Sequence, residues 1–147
     1  MKVKDCMCTD LCYCAPNMTV SEVAKLMNEH HIGCLPVCDN NQSVVGLVTD
    51  RDIALRCVAC DKNEKETPVS EIMTCSVCCC DGDTELSEVT KLMSDLQIRR
   101  IPVIENNKII GMLTIGDLAK NQEISPKDVG DTFEHICGCG HNSKNAE

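Results

Sequence analysis

Val20, Val23, Ala24 and Met27 recur at i, i+3, i+4 and i+7, the apolar stripe of a helix with one face against a core. Just ahead, Thr19-x-x-Glu22 has capping-box spacing, in which each side chain can satisfy the other residue's backbone N–H. The stripe returns at Leu86, Val89, Thr90 and Met93. Short apolar runs around each helix predict strands over 11–14 and 77–80, then 35–38 and 101–104, then 44–49 and 109–114. Asp39-Asn40-Asn41-Gln42 and Glu105-Asn106-Asn107 have the composition of hairpin turns. Further helices are expected over 52–60 and 117–122. Each half thus reads strand, helix, strand, strand, helix.

The two halves are copies. Ser21-Glu22-Val23-Ala24-Lys25-Leu26-Met27 comes back as Ser87-Glu88-Val89-Thr90-Lys91-Leu92-Met93, and Pro36-Val37 as Pro102-Val103, an offset of 102 − 36 = 66. After the Asn-Asn turns the register drops by one, so Gly46-Leu47-Val48-Thr49-x-x-Asp52 matches Gly111-Met112-Leu113-Thr114-x-x-Asp117. A repeat of under 70 residues buries too little apolar surface to stand alone. The expected fold is therefore α/β: two β-α-β-β-α repeats about a pseudo-twofold axis, with a repeat over 5–62, a linker over 63–70 and a second repeat over 71–121. Residues 122–147 are unrelated to either copy. There Ser125-Pro126-Lys127-Asp128 opens a short helix with Val129, Phe133 and Ile136 on one face, followed by Cys137-Gly138-Cys139-Gly140-His141.

Charge removes some functions. The net charge is −9, from 14 basic and 23 acidic residues, with no basic block for a nucleic acid or an anionic membrane. One Tyr, one Phe and no Trp leave no stacking platform for single strands. Without an apolar leader or a spanning run the chain reads as soluble and cytoplasmic. In that compartment the 14 cysteines are expected as reduced, small core residues rather than disulfides. Several stand where the other copy has an ordinary residue: Cys38 opposite Ile104, Cys6 opposite Ile72, Cys8 opposite Thr74.

The chemistry repeats with the fold. Thr49 and Asp52, like Thr114 and Asp117, fall where a strand ends and a helix begins, the place where α/β proteins bind ligands. A carboxylate there can accept both hydroxyls of a ribose, and a Thr hydroxyl can donate to a phosphate. Thr and Asp are also ordinary helix caps. The same pair in both copies, each after Gly-apolar-apolar, points beyond capping.

With these motifs the chain resembles the cystathionine-beta-synthase (CBS) domain family, in its tandem form, the Bateman module. The resemblance runs from about Asp5 to Lys120, through Met7 and Met73-Thr74, the Ser-Glu-Val-x-Lys-Leu-Met helices, the apolar-Pro-Val strands and both Gly-x-x-Thr-x-x-Asp endings. Thr49-Asp50-Arg51-Asp52-Ile53 looks like the small stand-alone bacterial members. It implies a regulatory sensor that binds AMP, ADP, ATP or S-adenosylmethionine between its repeats, pairs as a homodimer and acts on a regulated partner protein. Carried over, Asp52 and Asp117 would hold the ribose rings, Thr49 and Thr114 the first phosphate or sugar, and Leu35, Ile101, Leu11 and Val77 would line adenine. Arg99-Arg100 stand where family members place basic residues for phosphates; the first copy has Gly33-Cys34 there and carries Arg51 after Thr49. Two unequal sites are expected. No nucleophile–base pair or carboxylate dyad is evident, which argues against an enzyme. The competing reading is a cysteine-based metal or redox sensor on the same scaffold, with Cys137, Cys139 and His141 as ligands. A third is a ligand-free interaction module.

Overall fold

A computed structural model describes residues 1–137, so Cys139 and His141 lie outside the described residues. Helix α1 (Val20–His30) starts on the expected capping box: the Glu22 N–H donates to Thr19 Oγ1 at 3.2 Å, and the Thr19 N–H to Glu22 Oε2 at 2.9 Å. It buries Val20, Val23 and Met27 and ends on His31 at φ 54°. Strands β1 (Cys34–Cys38) and β2 (Val44–Thr49) form an antiparallel pair with a bulge between Val37 and Cys38. Helix α2 (Asp50–Asp52) makes one turn, then continues as a π-helix over Ile53–Val58.

The second copy repeats the plan with small departures. Strand β3 (Cys80–Asp81) runs parallel to β4 (Arg100–Glu105), which β5 (Lys108–Thr114) flanks in the order β3-β4-β5. Asn106 and Asn107 make the β4–β5 turn at φ 51° and 62°, left-handed values that Asn tolerates. Helix α3 (Leu86–Leu96) buries Leu86, Val89 and Met93 and ends on Gln97 at φ 55°, matching His31. Glu85 stands where Thr19 does and makes no side-chain cap, so the capping box is not duplicated. Helix α4 (Ile115–Lys120) is an ordinary α-helix, unlike its π-wound counterpart. The strand expected over 11–14 shrinks to one bridge, Cys14 to Val37, because only there does the chain meet β1.

These elements form two compact units, cut differently from the repeats. One holds residues 12–78 with 106–109; the other holds 1–11, 79–105 and the chain from 110 onward. Each therefore contains the lead-in segment of the opposite copy. In the first unit Met73-Thr74 lie on β2: Leu47 and Thr74 exchange N–H···O bonds of 2.9 and 2.8 Å. In the second, Cys8 and Met112 do the same at 2.8 and 3.0 Å. Glycine makes both approaches possible. A Cβ on Gly46 would lie 2.5 Å from Met73 Sδ, and one on Gly111 2.6 Å from Met7 Sδ. Val69 and Ile72 accordingly join Val20, Val23, Leu35, Val37 and Val48 in the first core. Val3 is buried in the second unit, as are Ile101, Val103 and Leu113.

The C-terminal helix α5 (Pro126–Cys137) opens with the Asp128 N–H donating to Ser125 Oγ at 3.2 Å, and it packs on α3 and α4. Its inward stripe includes Thr132 and Ile136, whereas Phe133 is 46% exposed. Thr132 tolerates burial because its hydroxyl donates to the Asp128 carbonyl at 2.8 Å. Among the described residues no helix is long and apolar enough to cross a membrane.

Candidate functional site

Each unit carries one strand-to-helix cap with the predicted Thr and Asp. In the first, the Asp52 N–H donates to Thr49 Oγ1 and the Thr49 N–H to Asp52 Oδ2, both at 3.0 Å. The Asp50 N–H donates to the Gly33 carbonyl at 3.0 Å, which ties the start of β1 to the cap. In the second, the Asp117 N–H donates to Thr114 Oγ1 at 3.1 Å and the Thr114 N–H to Asp117 Oδ2 at 2.8 Å. The Ile115 N–H donates to the Arg99 carbonyl at 2.9 Å, so Arg99 is anchored beside this cap as Gly33 is beside the other. The local sequence dictates both caps, since an Asp three residues after the Thr closes a reciprocal pair.

The carboxylates are used differently. Thr114 Oγ1 also donates to Asp117 Oδ2, at 2.8 Å, so this one oxygen takes two bonds, and Asp117 Oδ1 takes none among the described residues. Asp52 Oδ1 instead faces Arg56 Nε at 3.8 Å, with the aspartate side chain only 12% exposed. Arg56 Nη1 donates to the carbonyls of Ile72 and Met73, each at 3.3 Å. The sequence reading missed Arg56, though its i, i+4 spacing from Asp52 was a usable sign.

The other expected residues divide between the units. Leu35, Thr49, Arg51, Asp52 and Val77 fall in the first; Leu11, Arg99, Arg100, Ile101, Thr114 and Asp117 fall in the second. Arg51 and Arg99 are exposed, while Arg100 is half-buried. Leu35 and Ile101 are fully buried core residues, and Leu11 and Val77 are half-buried. A separate groove of about 620 Å³ lies along α3 and α5, lined by Met1, Leu86, Leu118, Val129 and His135 among others. None of the expected site residues lines it.

The cysteines are only partly core residues: of the thirteen described, four are buried, five half-buried and four exposed. Cys14, Cys38, Cys57 and Cys80 are buried. Burial, and then the neighbouring thiols of Cys38 and Cys12, push the Cys14 thiol up to about 12, so it stays protonated and unreactive. Cys6 Sγ sits 3.6 Å from the Asp117 carbonyl oxygen. Cys137 is exposed at the end of α5. Among the described residues no group of three or more His, Cys, Asp or Glu is placed to hold a metal ion.

Comparison with known proteins agrees with the geometry. The CBS domain family model matches residues 3–58 and again 69–123. The CBS domain-containing protein YhcV of Bacillus subtilis (strain 168) is 39% identical over 135 residues, covering 91% of this chain and 94% of its own. A crystal structure of Hypoxic Response Protein I with two coordinated zinc ions superposes with a TM-score of 0.76 at 27% identity, covering 82% of this chain and 98% of that one. The CBS domain pair of protein MJ0100, solved in complex with 5-methylthioadenosine and S-adenosyl-L-methionine, gives 0.72 at 28% identity over 82% of this chain and 94% of that one.

Proposed function

The chain belongs to the CBS-domain family as a tandem pair, and we propose that it reversibly binds an adenosine-containing ligand and passes occupancy to a partner protein. One observation carries this reading: at Asp117 the cap consumes a single carboxylate oxygen, while the other, with no bond among the described residues, is available to a diol. The adenosine compounds in the MJ0100 complex support the ligand class. Each hydrogen bond to a charged acceptor is worth about 1.5–3 kcal/mol, enough to discriminate ribose from deoxyribose.

Within this reading the ligand is AMP, ADP, ATP or S-adenosylmethionine. Arg99 and Arg100 suit the second site to a phosphorylated nucleotide, because the Arg99 carbonyl takes the Ile115 N–H and so brings this two-arginine strand end to the cap. In the first, Thr49 Oγ1 only accepts among the described residues, which leaves its proton for a phosphate or sugar oxygen, with Arg51 nearby in sequence. The half-buried Leu11 and Val77 supply aliphatic carbon for adenine, with Leu35 and Ile101 as the floor. Leu55 at 49% and Val58 at 67% exposure leave apolar surface for the second copy of a homodimer or for the regulated partner.

The test is a thermal-shift panel on reduced, desalted protein with each adenosine compound, followed by calorimetry on Asp52→Ala and Asp117→Ala. A ligand at a hundred times its Kd adds about 2.7 kcal/mol, and about 2–4 °C per kcal/mol makes that a shift of several degrees. Each Asp variant should lose its own site with the fold intact. Folded protein indifferent to every adenosine compound sinks the reading. A second reading, cysteine-held metal, is favoured by the zinc in Hypoxic Response Protein I and by the exposed Cys137. A fall in midpoint with chelator, absent after Cys137→Ser, would support it.

A further inference from the structure

Resting on the adenosine reading, we propose that Arg56 is a specificity-determining residue of the first site, whose guanidinium takes the place of a ligand diol at Asp52. Asp52 has one oxygen in the cap and the other facing Arg56 Nε at 3.8 Å, so both are engaged. Arg56 is also held from the far side. Its Nη1 donates to the Ile72 and Met73 carbonyls at 3.3 Å each, which fixes the guanidinium between the lead-in segment and the aspartate. The π-helical winding that carries Arg56 begins directly after Asp52, and such winding is frequent at functional sites.

The second copy lacks the device. The position matching Arg56 is Asn121 (56 + 65 = 121), which lies beyond the end of α4. Its side chain is occupied elsewhere: Nδ2 donates to Met1 Sδ at 3.3 Å, and Oδ1 accepts the Glu123 N–H at 2.9 Å. A ribose therefore meets an open oxygen at Asp117 but must displace a cation at Asp52. The first site is the weaker one for a neutral nucleoside, and filling it parts the Arg56 guanidinium from Asp52 while leaving it bonded to the Ile72 and Met73 carbonyls.

The experiment is calorimetry of the full chain with adenosine, which has no phosphate to attract arginines. Asp117→Asn isolates the first site, and Arg56→Asn or Arg56→Gln is added to it. Both replacements are uncharged and too short to reach the two carbonyls, so they remove the cation together with its carbonyl bonds, and the salt series isolates the charge. An ion pair this exposed is worth under about 1 kcal/mol, so removing it should tighten adenosine about two- to fivefold. Raising salt to about 0.5 M should tighten the parent in the same direction while leaving both Arg56 variants unmoved. Adding Asp52→Asn should erase the gain. Unchanged or weaker binding in both Arg56 variants overturns the proposal alone, since the parent still binds. A wild-type chain that takes no adenosine at either site overturns the adenosine reading and this proposal with it.

Discussion

The two caps show what a duplication preserves and what it leaves free. Thr49-Asp52 and Thr114-Asp117 close reciprocal bonds that agree to within about 0.2 Å, each tied to the residue just before its β-strand partner. Beyond the caps the copies diverge. The first helix unwinds into a π-helix bearing Arg56, which faces its aspartate; the second stays α-helical, and its aspartate faces no cation among the described residues. Local chain chemistry thus fixes where an acceptor stands. Its charge environment is set by residues outside the repeated motif, and those decide how the sites differ.

The strongest challenge to this comparison is in the cores. Leu35 and Ile101 occupy matched positions (35 + 66 = 101), and both are 0% exposed. Truncation of either to Ala should cost about 2–5 kcal/mol, and the two costs should agree to within about 1 kcal/mol if the copies are packed alike. Chemical denaturation of the two variants measures this. A gap larger than that would show that the units do not share a common packing.

Next come the glycines under the lead-in segments. Gly46→Ala would press a methyl onto Met73 Sδ and lie 3.0 Å from the Thr74 carbonyl oxygen; Gly111→Ala would meet Met7 Sδ and the Cys8 carbonyl at 2.9 Å. The thioethers can move, but the carbonyls are held by paired backbone bonds. Each substitution should therefore destabilise by about 1–3 kcal/mol. Met73→Ala should relieve part of the Gly46→Ala cost, leaving the backbone share. Wild-type midpoints in both glycine variants would contradict the close approach.

How much of this was legible beforehand depended on range. The 3.6-residue stripes gave α1 and α3, the Pro-Val runs gave β1 and β4, and the Thr-x-x-Asp spacing gave both caps, because each is settled by neighbours within a few residues. Three features were not legible for the opposite reason. The exchange of lead-in segments between units depends on contacts such as Cys8 to Met112, about which local periodicity is silent. The inward stripe of α5 was misjudged at Phe133, since Thr132 could be buried once its hydroxyl bonded the Asp128 carbonyl. The i, i+4 spacing of Arg56 from Asp52 hints at a pair, but its hold on the lead-in segment rests on the Ile72 and Met73 carbonyls, 16 and 17 residues away.

The smallest effect expected separates packing from reactivity at the cysteines. Cys14 and Cys80 are matched (14 + 66 = 80) and buried, at 2% and 8% exposure. Burial raises the Cys14 thiol from its ordinary value of 9.0 to about 12, so above pH 9 the unfolded chain sheds a proton that the folded chain retains. The folded state then binds more protons than the unfolded state, and stability falls as pH rises. The contribution is flat below about pH 9, declines by about 1.4 kcal/mol per pH unit, and levels off near pH 12. Cys14→Val, close in volume, should lessen this alkaline slope by its own share, since burial also raises the Cys57 thiol, while leaving stability at pH 7 within about 1.5 kcal/mol of wild type. Cys80→Val controls for the volume change at the matched position. Denaturation curves at pH 7, 9 and 10 on reduced protein give the answer. If the slope is unchanged in Cys14→Val, the alkaline loss belongs entirely to other groups and Cys14 is not the protonated core thiol described above.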